Sequence, residues 1–381
     1  MTPFIIDVDE SVLTDVQERL SRTRFPDQLE NTTWEYGADI SYLKELVDYW
    51  QASFDWRAAE AELNGFSHFK TDIDGLNIHY IHERSPYDDA LPLIITHGWP
   101  GSIFEFHKII RTLTHPEEFG GKAQDAFHVV CPSIAGYGFS DIPKDPGFHV
   151  KSQSEINVKL MAKLGYSRYG AQGGDWGSVI TGWTGALDPE HCCGIHMNMV
   201  LGQPPRGDEP RPDLTDVEIE RIKQAKYFQK TETGYQRIQG SKPQTLGYGL
   251  MDSPAGLAAW IIEKFRTWSD CGGDVESRFT KDELLTNIMI YWVTGTITSS
   301  TRLYFETYHS DTGRAPDNYV EVPTGFAAFP HELAVLPRAW AEKSFNVQRW
   351  TEMEKGGHFA ALEEPELLVA DIQEFFRGVR G

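Results

Sequence analysis

Residues 166–187 read YSRYGAQGGDWGSVITGWTGAL. Tyr166 to Ala171 has the composition of a strand, and Ser178 to Leu187 that of a helix. Between them lies Gly173-Gly174-Asp175-Trp176-Gly177, a small-x-Asp-x-small turn with the layout of a nucleophile elbow. Such a turn is so sharp that the residues two before and two after its centre must be small, and Gly173 and Gly177 meet that demand. The turn also lifts its central side chain toward the cleft at the carboxyl ends of the strands. A bare Gly-x-Asp-x-Gly is also a common plain turn. Its place between a strand and a helix is what marks Asp175 as a nucleophile.

Working outward from the elbow, the apolar strand Pro92 to Thr96 ends in His97-Gly98-Trp99-Pro100. Ser102 and Glu105 then have capping-box spacing for a following helix. Phe127 to Cys131 is another buried strand. Phe69 to Ile73 and Leu76 to Tyr80 flank Asp74-Gly75, a hairpin signal. This rhythm predicts a mostly parallel sheet with helices on both faces. Before it come three helices: one spaced by Val8, Val12, Leu13, Val16 and Leu20 and closed by Pro26, one carrying Ile40, Leu43, Leu46, Val47 and Trp50, and one from Asp55 to Asn64-Gly65. After residue 200 the strand signals fade. Pro204, Pro205, Pro210 and Pro212 mark a linker-like stretch, and helices start after Ser253-Pro254 and after Thr280 with Glu283. Strand character resumes at Val347 to Met353, and a helix through Leu367, Ile372 and Phe376 ends the chain. The expected division is an N-terminal helical segment (1–66), a core (67–200), a helical cap (201–313) and the rest of the core (314–381).

An aspartate nucleophile selects its chemistry. Carboxylate attack on a carbonyl gives an anhydride, whereas attack on an sp³ carbon gives a stable ester. The expected substrates carry an epoxide oxygen or a halide on such a carbon. A base must then activate water against the ester. His358, in Gly356-Gly357-His358-Phe359 between the last strand and the last helix, has the right place and chain order. A carboxylate between nucleophile and base would orient it. Glu332, in Phe329-Pro330-His331-Glu332, is the first candidate, with Glu342, Glu352 and Glu354 as rivals. The backbone N–H groups of Trp99 and Trp176 suit an oxyanion hole. Trp99-Pro100 is a candidate cis bond, and His97 reads as structural.

Composition narrows the rest. The chain has 381 residues, 40% hydrophobic and 24% charged, with a net charge of −21. That charge argues against nucleic acid and against anionic lipid surfaces. Four cysteines without a C-x-x-C pair predict no zinc site and no disulfide framework. With no phosphate-binding glycine motif either, the enzyme is expected to need no cofactor and no metal. No signal peptide or anchor helix is read, so a soluble cytoplasmic protein is expected. The sequence leaves a homodimer open.

Taken together, the chain resembles the microsomal-type epoxide hydrolases, which have the α/β-hydrolase fold and an N-terminal helical segment. The resemblance spans nearly the whole sequence. It rests on Trp34-Glu35-Tyr36, the run from His97 to Ser102, Gly174 to Gly177, the stretch from Asp252 to Leu257, Gly356 to Ala361, and Glu364-Pro365. It implies two cap tyrosines that hold and protonate the epoxide oxygen. By local match these fall on Tyr235 and Tyr304, with Tyr308 and Tyr291 as alternatives to Tyr304. The implied substrate is a small apolar or aromatic epoxide, with water as the second reactant. Membrane-bound members carry an anchor helix that is not read here. Dehalogenase chemistry shares the Asp–His–acid logic but needs halide donors, and the paired tyrosines favour the epoxide. A catalytically silent relative would have lost a member of the set Asp175, Glu332, His358.

Overall fold

Asp74 and Gly75 both adopt positive φ, 53° and 83°. This is the mirror-image turn that suits the right-handed twist of a two-residue hairpin. It joins β2 (His68–Ile73) to β3 (Leu76–Glu83), which pair antiparallel from His68–Ile81 to Ile73–Leu76. The computed structural model describes residues 1–207, 212–312, 315–316 and 318–380. Within them, β1 is Thr2–Pro3, β4 Leu91–Thr96, β5 Phe127–Pro132, β6 Tyr169–Gly173, β7 Cys192–Met197, β8 Val320–Ala328 and β9 Phe345–Glu352. The described strands form one sheet in the order β1-β2-β3-β5-β4-β6-β7-β8-β9. β1 to β3 run antiparallel, and every pair from β5 to β9 is parallel. This is the α/β-hydrolase arrangement expected.

Alternation along the strands sends side chains to two cores. Leu93 and Ile95 of β4 pack with Ile109, Ile110 and Leu113 on one face, joined there by Leu368, Ile372 and Phe376 of the helix Pro365–Arg377. Ile94 packs on the other face with Ile156, Leu160 and Met161 of the helix Val150–Lys163. Each fully buried aliphatic side chain contributes about 1.5–3 kcal/mol.

A third core lies above the carboxyl ends of the strands. Val16, Leu20, Leu46, Val47 and Trp50 of the first two helices pack with Leu257, Ile261, Ile262 and Phe265 and with Leu284, Leu285 and Ile288. The N-terminal helices therefore bury their apolar stripes mainly against the helical insertion. Buried Glu60 ties the segment down, because its carboxylate accepts from the Val8 N–H, the Trp56 indole and the Arg57 guanidinium.

The insertion holds more helices than the sequence announced. Besides Pro254–Trp268 and Lys281–Thr294 it contains Asp216–Thr231, Gly234–Gln239, Pro243–Asp252 and Ile297–His309. Asp216–Thr231 buries no residue fully, so it carries no strong apolar stripe to read. β8 was also missed, since Pro323 and Gly325 break its pattern and its pairing with β9 shifts register at both places. The capping box at Ser102 is half right. The Ser102 hydroxyl accepts from the Phe104 N–H, but Glu105 turns away toward the Gly98 N–H. Pro210 and the 313–314 border expected for the cap lie outside the described residues. Among the described residues no helix is long and apolar enough to cross a membrane.

A Cβ at Gly177 would run into the Thr96 and His97 carbonyls, whereas one at helical Gly249 meets open space. Gly177→Ala is therefore expected to destabilise the fold by about 2 kcal/mol or more. Gly249→Ala should stabilise it by about 0.5–1 kcal/mol. Thermal melting of the two variants checks both signs.

Candidate active site

Asp175 ends the β6 turn and opens the helix Trp176–Leu187, with φ 50° and ψ −128°. A non-glycine residue there stores about 1–3 kcal/mol of strain. The strain is held because glycines let three backbones meet: a Cβ at Gly98 would occupy the Asp175 carboxyl itself, and one at Gly173 would strike Gly177. The Trp99 N–H donates to Asp175 Oδ1 at 2.8 Å. Trp176 is the first residue of the helix, so its N–H lacks an intrahelical acceptor. Trp99-Pro100 is cis. The loop is fastened from the insertion side: Asn287 donates to the Pro100 carbonyl at 2.8 Å and the Tyr291 hydroxyl to the Gly101 carbonyl at 2.6 Å. The Tyr291 hydroxyl proton is thus engaged by the loop. His97 is structural as read, with one ring nitrogen on the Gly98 carbonyl and the other accepting from the Ile134 N–H.

His358 Nε2 stands 3.3 Å from Asp175 Oδ2, and its Nδ1 is 2.7 Å from Glu332 Oε1. The Leu333 N–H also donates to Glu332 Oε1. The rivals lie elsewhere: Glu342 pairs with Arg338, Glu352 with Arg221, and Glu354 is exposed. Burial disfavours charge on His358, but the adjoining Glu332 and Asp175 carboxylates outweigh it and hold the imidazolium proton well above the ordinary range.

Tyr235 and Tyr304 are both buried, with ring centroids 5.9 Å apart. Tyr235 stacks on Trp99 at 5.3 Å, and Tyr304 meets Trp176 edge to face at 4.7 Å. Burial, and after it the Asp175 charge or the neighbouring phenol, pushes both phenols up. Asp175, Tyr235, Tyr304 and Tyr308 line a cavity of about 340 Å³, with Val179, Met199, Leu201, Phe228 and Leu336 as its apolar wall. A larger and more open groove, about 880 Å³ along residues 138–148, holds none of these groups.

Residues 1–106 match the family described as the epoxide hydrolase N terminus, and residues 92–235 match the α/β-hydrolase fold. Epoxide hydrolase 1 of Sus scrofa is 41% identical over 98% of this chain and 88% of its own length. The chain belongs to the epoxide hydrolase family. Two solved epoxide hydrolases share its whole architecture. The juvenile hormone epoxide hydrolase of Bombyx mori superposes with TM-score 0.91 at 34% identity, over 100% of this chain and 94% of that one. The Aspergillus niger epoxide hydrolase gives 0.89 at 30%, over 99% and 96%.

Three acids of this epoxide hydrolase were not read from the sequence as site residues. Glu105, read there only as a helix cap, lies beside the Gly98-Trp99 loop, where burial pushes its carboxyl up to about 8. Buried Glu363 is pushed up to about 7, and it accepts from the N–H groups of Phe359 and Asp270. Asp270, just past the helix Pro254–Trp268, grips both loops of the Glu332–His358 pair. It accepts from the Gly356 N–H at 3.0 Å, two residues before His358, and meets the ring of His331, the neighbour of Glu332, at 3.1 Å. The His358 N–H donates to the Trp268 carbonyl in the same strap. The spacing Gly-Gly-His had no power to announce a partner 86 residues away.

Asp270→Ala is expected to slow epoxide turnover by on the order of tenfold or more, since small misplacements of an acid–base pair are costly. Asp270→Asn keeps an acceptor for the Gly356 N–H and should lose less. Steady-state diol formation by the two variants checks the order.

Proposed function

We propose that the enzyme opens a small apolar or aromatic epoxide and releases the vicinal diol through an ester on Asp175. The observation that carries this reading is the set of contacts around one carboxylate. A backbone N–H holds one oxygen, a histidine holds the other, and two phenols share its apolar cavity. A carboxylate needs no base to attack a strained sp³ carbon. As the new C–O bond forms, the ring C–O bond breaks and its electrons go to the epoxide oxygen. That oxygen takes a proton from the Tyr235–Tyr304 pair and leaves a phenolate. A donor of tyrosine acidity matches a basic alkoxide.

Alkylation then resets the base. His358 owes part of its charge to the Asp175 carboxylate. Once that carboxylate is an ester, the support is gone, and the imidazolium proton passes to the phenolate. Neutral His358, oriented by Glu332, takes a proton from water as the hydroxide adds to the ester carbonyl. The Trp99 and Trp176 N–H groups hold the oxyanion. On collapse the departing alkoxide takes the hydroxyl proton, the carboxylate returns, and His358 keeps its proton for the next cycle. In this assignment residues 67–200 and 314–381 are the catalytic core, 201–313 the cap and 1–66 its brace.

His358→Gln is expected to react with styrene oxide yet release no diol. Intact mass should rise by one substrate, mapped to the peptide holding Asp175, and Glu332→Gln should show a milder version. Heavy-oxygen water in a single turnover should label Asp175 before the diol. Label confined to the diol, or a His358→Gln protein that turns over normally, refutes the ester route.

The pH dependence follows from the same charges. Ester hydrolysis needs neutral His358, so its rate should rise with pH through the imidazole value of the alkylated enzyme. Alkylation tolerates the imidazolium. Lowering the pH toward about 5 should therefore accumulate ester in the wild-type enzyme. Quench-flow mass spectrometry across pH reads the two steps separately.

A further inference from the structure

Lys264, on the helix Pro254–Trp268, is a buried lysine with no place in the two steps above. Its ammonium lies 4.8 Å from the centroid of the Tyr235 ring and 5.9 Å from that of Trp268. Its side chain is 8% exposed, and it pairs with neighbouring Glu263. A cation over a phenol face is attracted by the ring quadrupole. That attraction grows when the ring becomes a phenolate, and growth is strongest where water is excluded. Among the described residues no cation faces the Tyr304 ring, which instead meets Trp99, Trp176, Tyr235 and Tyr308.

The hydroxyls differ in the same direction. Gln236 Nε2 donates to the Tyr235 oxygen at 2.9 Å, and the Tyr304 ring lies beside it, 5.9 Å between centroids. With its oxygen accepting from Gln236, Tyr235 has its own O–H left for the cavity. We propose that Lys264 makes the two phenols unequal: Tyr235 gives its proton to the epoxide oxygen, and Tyr304 stabilises the Tyr235 oxyanion by donating to it. Lys264 acts through Tyr235 and touches no reacting atom, so it is a positioning residue. The step balances as before. The Tyr235 O–H breaks, the product O–H forms, and the proton on His358 later restores Tyr235. The inference rests on the ester route of the preceding section.

The charged and titratable groups around Tyr235 are Asp175 from the elbow, Lys264 with Glu263 from its own helix, and Tyr304 and Tyr308 from the helix Ile297–His309. Single-turnover alkylation by styrene oxide, followed by tryptophan fluorescence from about pH 6 to about pH 12 to cover phenols raised by burial, tests their ranking. Lys264→Met should slow alkylation on the order of tenfold, shift its alkaline limb to higher pH, and leave ester hydrolysis unchanged. Lys264→Arg should restore the wild-type profile. The effect of Lys264→Met should vanish in a Tyr235→Phe background and persist in Tyr304→Phe. An effect equal in both backgrounds, or absent from the wild type, overturns the proposal. Should Lys264→Met fail to fold, the two tyrosine variants still decide: Tyr304→Phe should keep the alkaline limb and Tyr235→Phe should lose it, and the reverse overturns it. Absence of any adduct in His358→Gln would remove the ester route itself, whereas an adduct with no Lys264 effect removes this inference alone.

Discussion

Asp175 adopts φ 50° because the chain must leave β6 and enter the helix Trp176–Leu187 at a single residue. The rest of the site depends on that turn. It puts the carboxylate against the Gly98 backbone, within reach of the Trp99 N–H, and opposite His358. Strain of this size persists only where the surroundings over-determine it. Here the surroundings are the middle of a parallel sheet, since β6 lies between β4 and β7. The strand beside the elbow leads into the Gly98-Trp99 loop, so Asp175 and that loop are neighbours by register rather than by chance folding of two loops.

Burial gives the same site its electrical character. His358 and Glu332 are almost wholly withdrawn from water, while Asp175 keeps 16% of its side chain exposed to the cavity. Low polarity strengthens each charge–charge interaction. The state of one group therefore bears on the others: neutralising Asp175 would remove part of what holds the His358 imidazolium proton. Glu105 and Glu363, both shifted upward by burial, add acids that readily stay neutral close to this chain of charges.

Much of this was legible in the sequence because the informative signals were local. The elbow, the Asp74-Gly75 turn and the Thr280–Glu283 cap each declare themselves within a few residues, and the structure keeps all three. Glu332 and His358 were readable from chain order, and they meet at 2.7 Å. What stayed hidden depends on distance. Asp270, Glu363 and Lys264 look like ordinary members of a chain with many charges, and only packing reveals what they face. β8 was invisible for another reason. Strands buried on both faces are specified by their neighbours, so a proline and a glycine within Val320–Ala328 are tolerated once β7 and β9 flank it.

Asp270 belongs to the helical insertion, yet its carboxylate fastens the two loops that carry Glu332 and His358. An insertion that merely roofed the cleft would be an interchangeable part. This one is also a bracket for the machinery beneath it. A chimaera that exchanges the insertion therefore exchanges the Asp270 clasp on both loops as well.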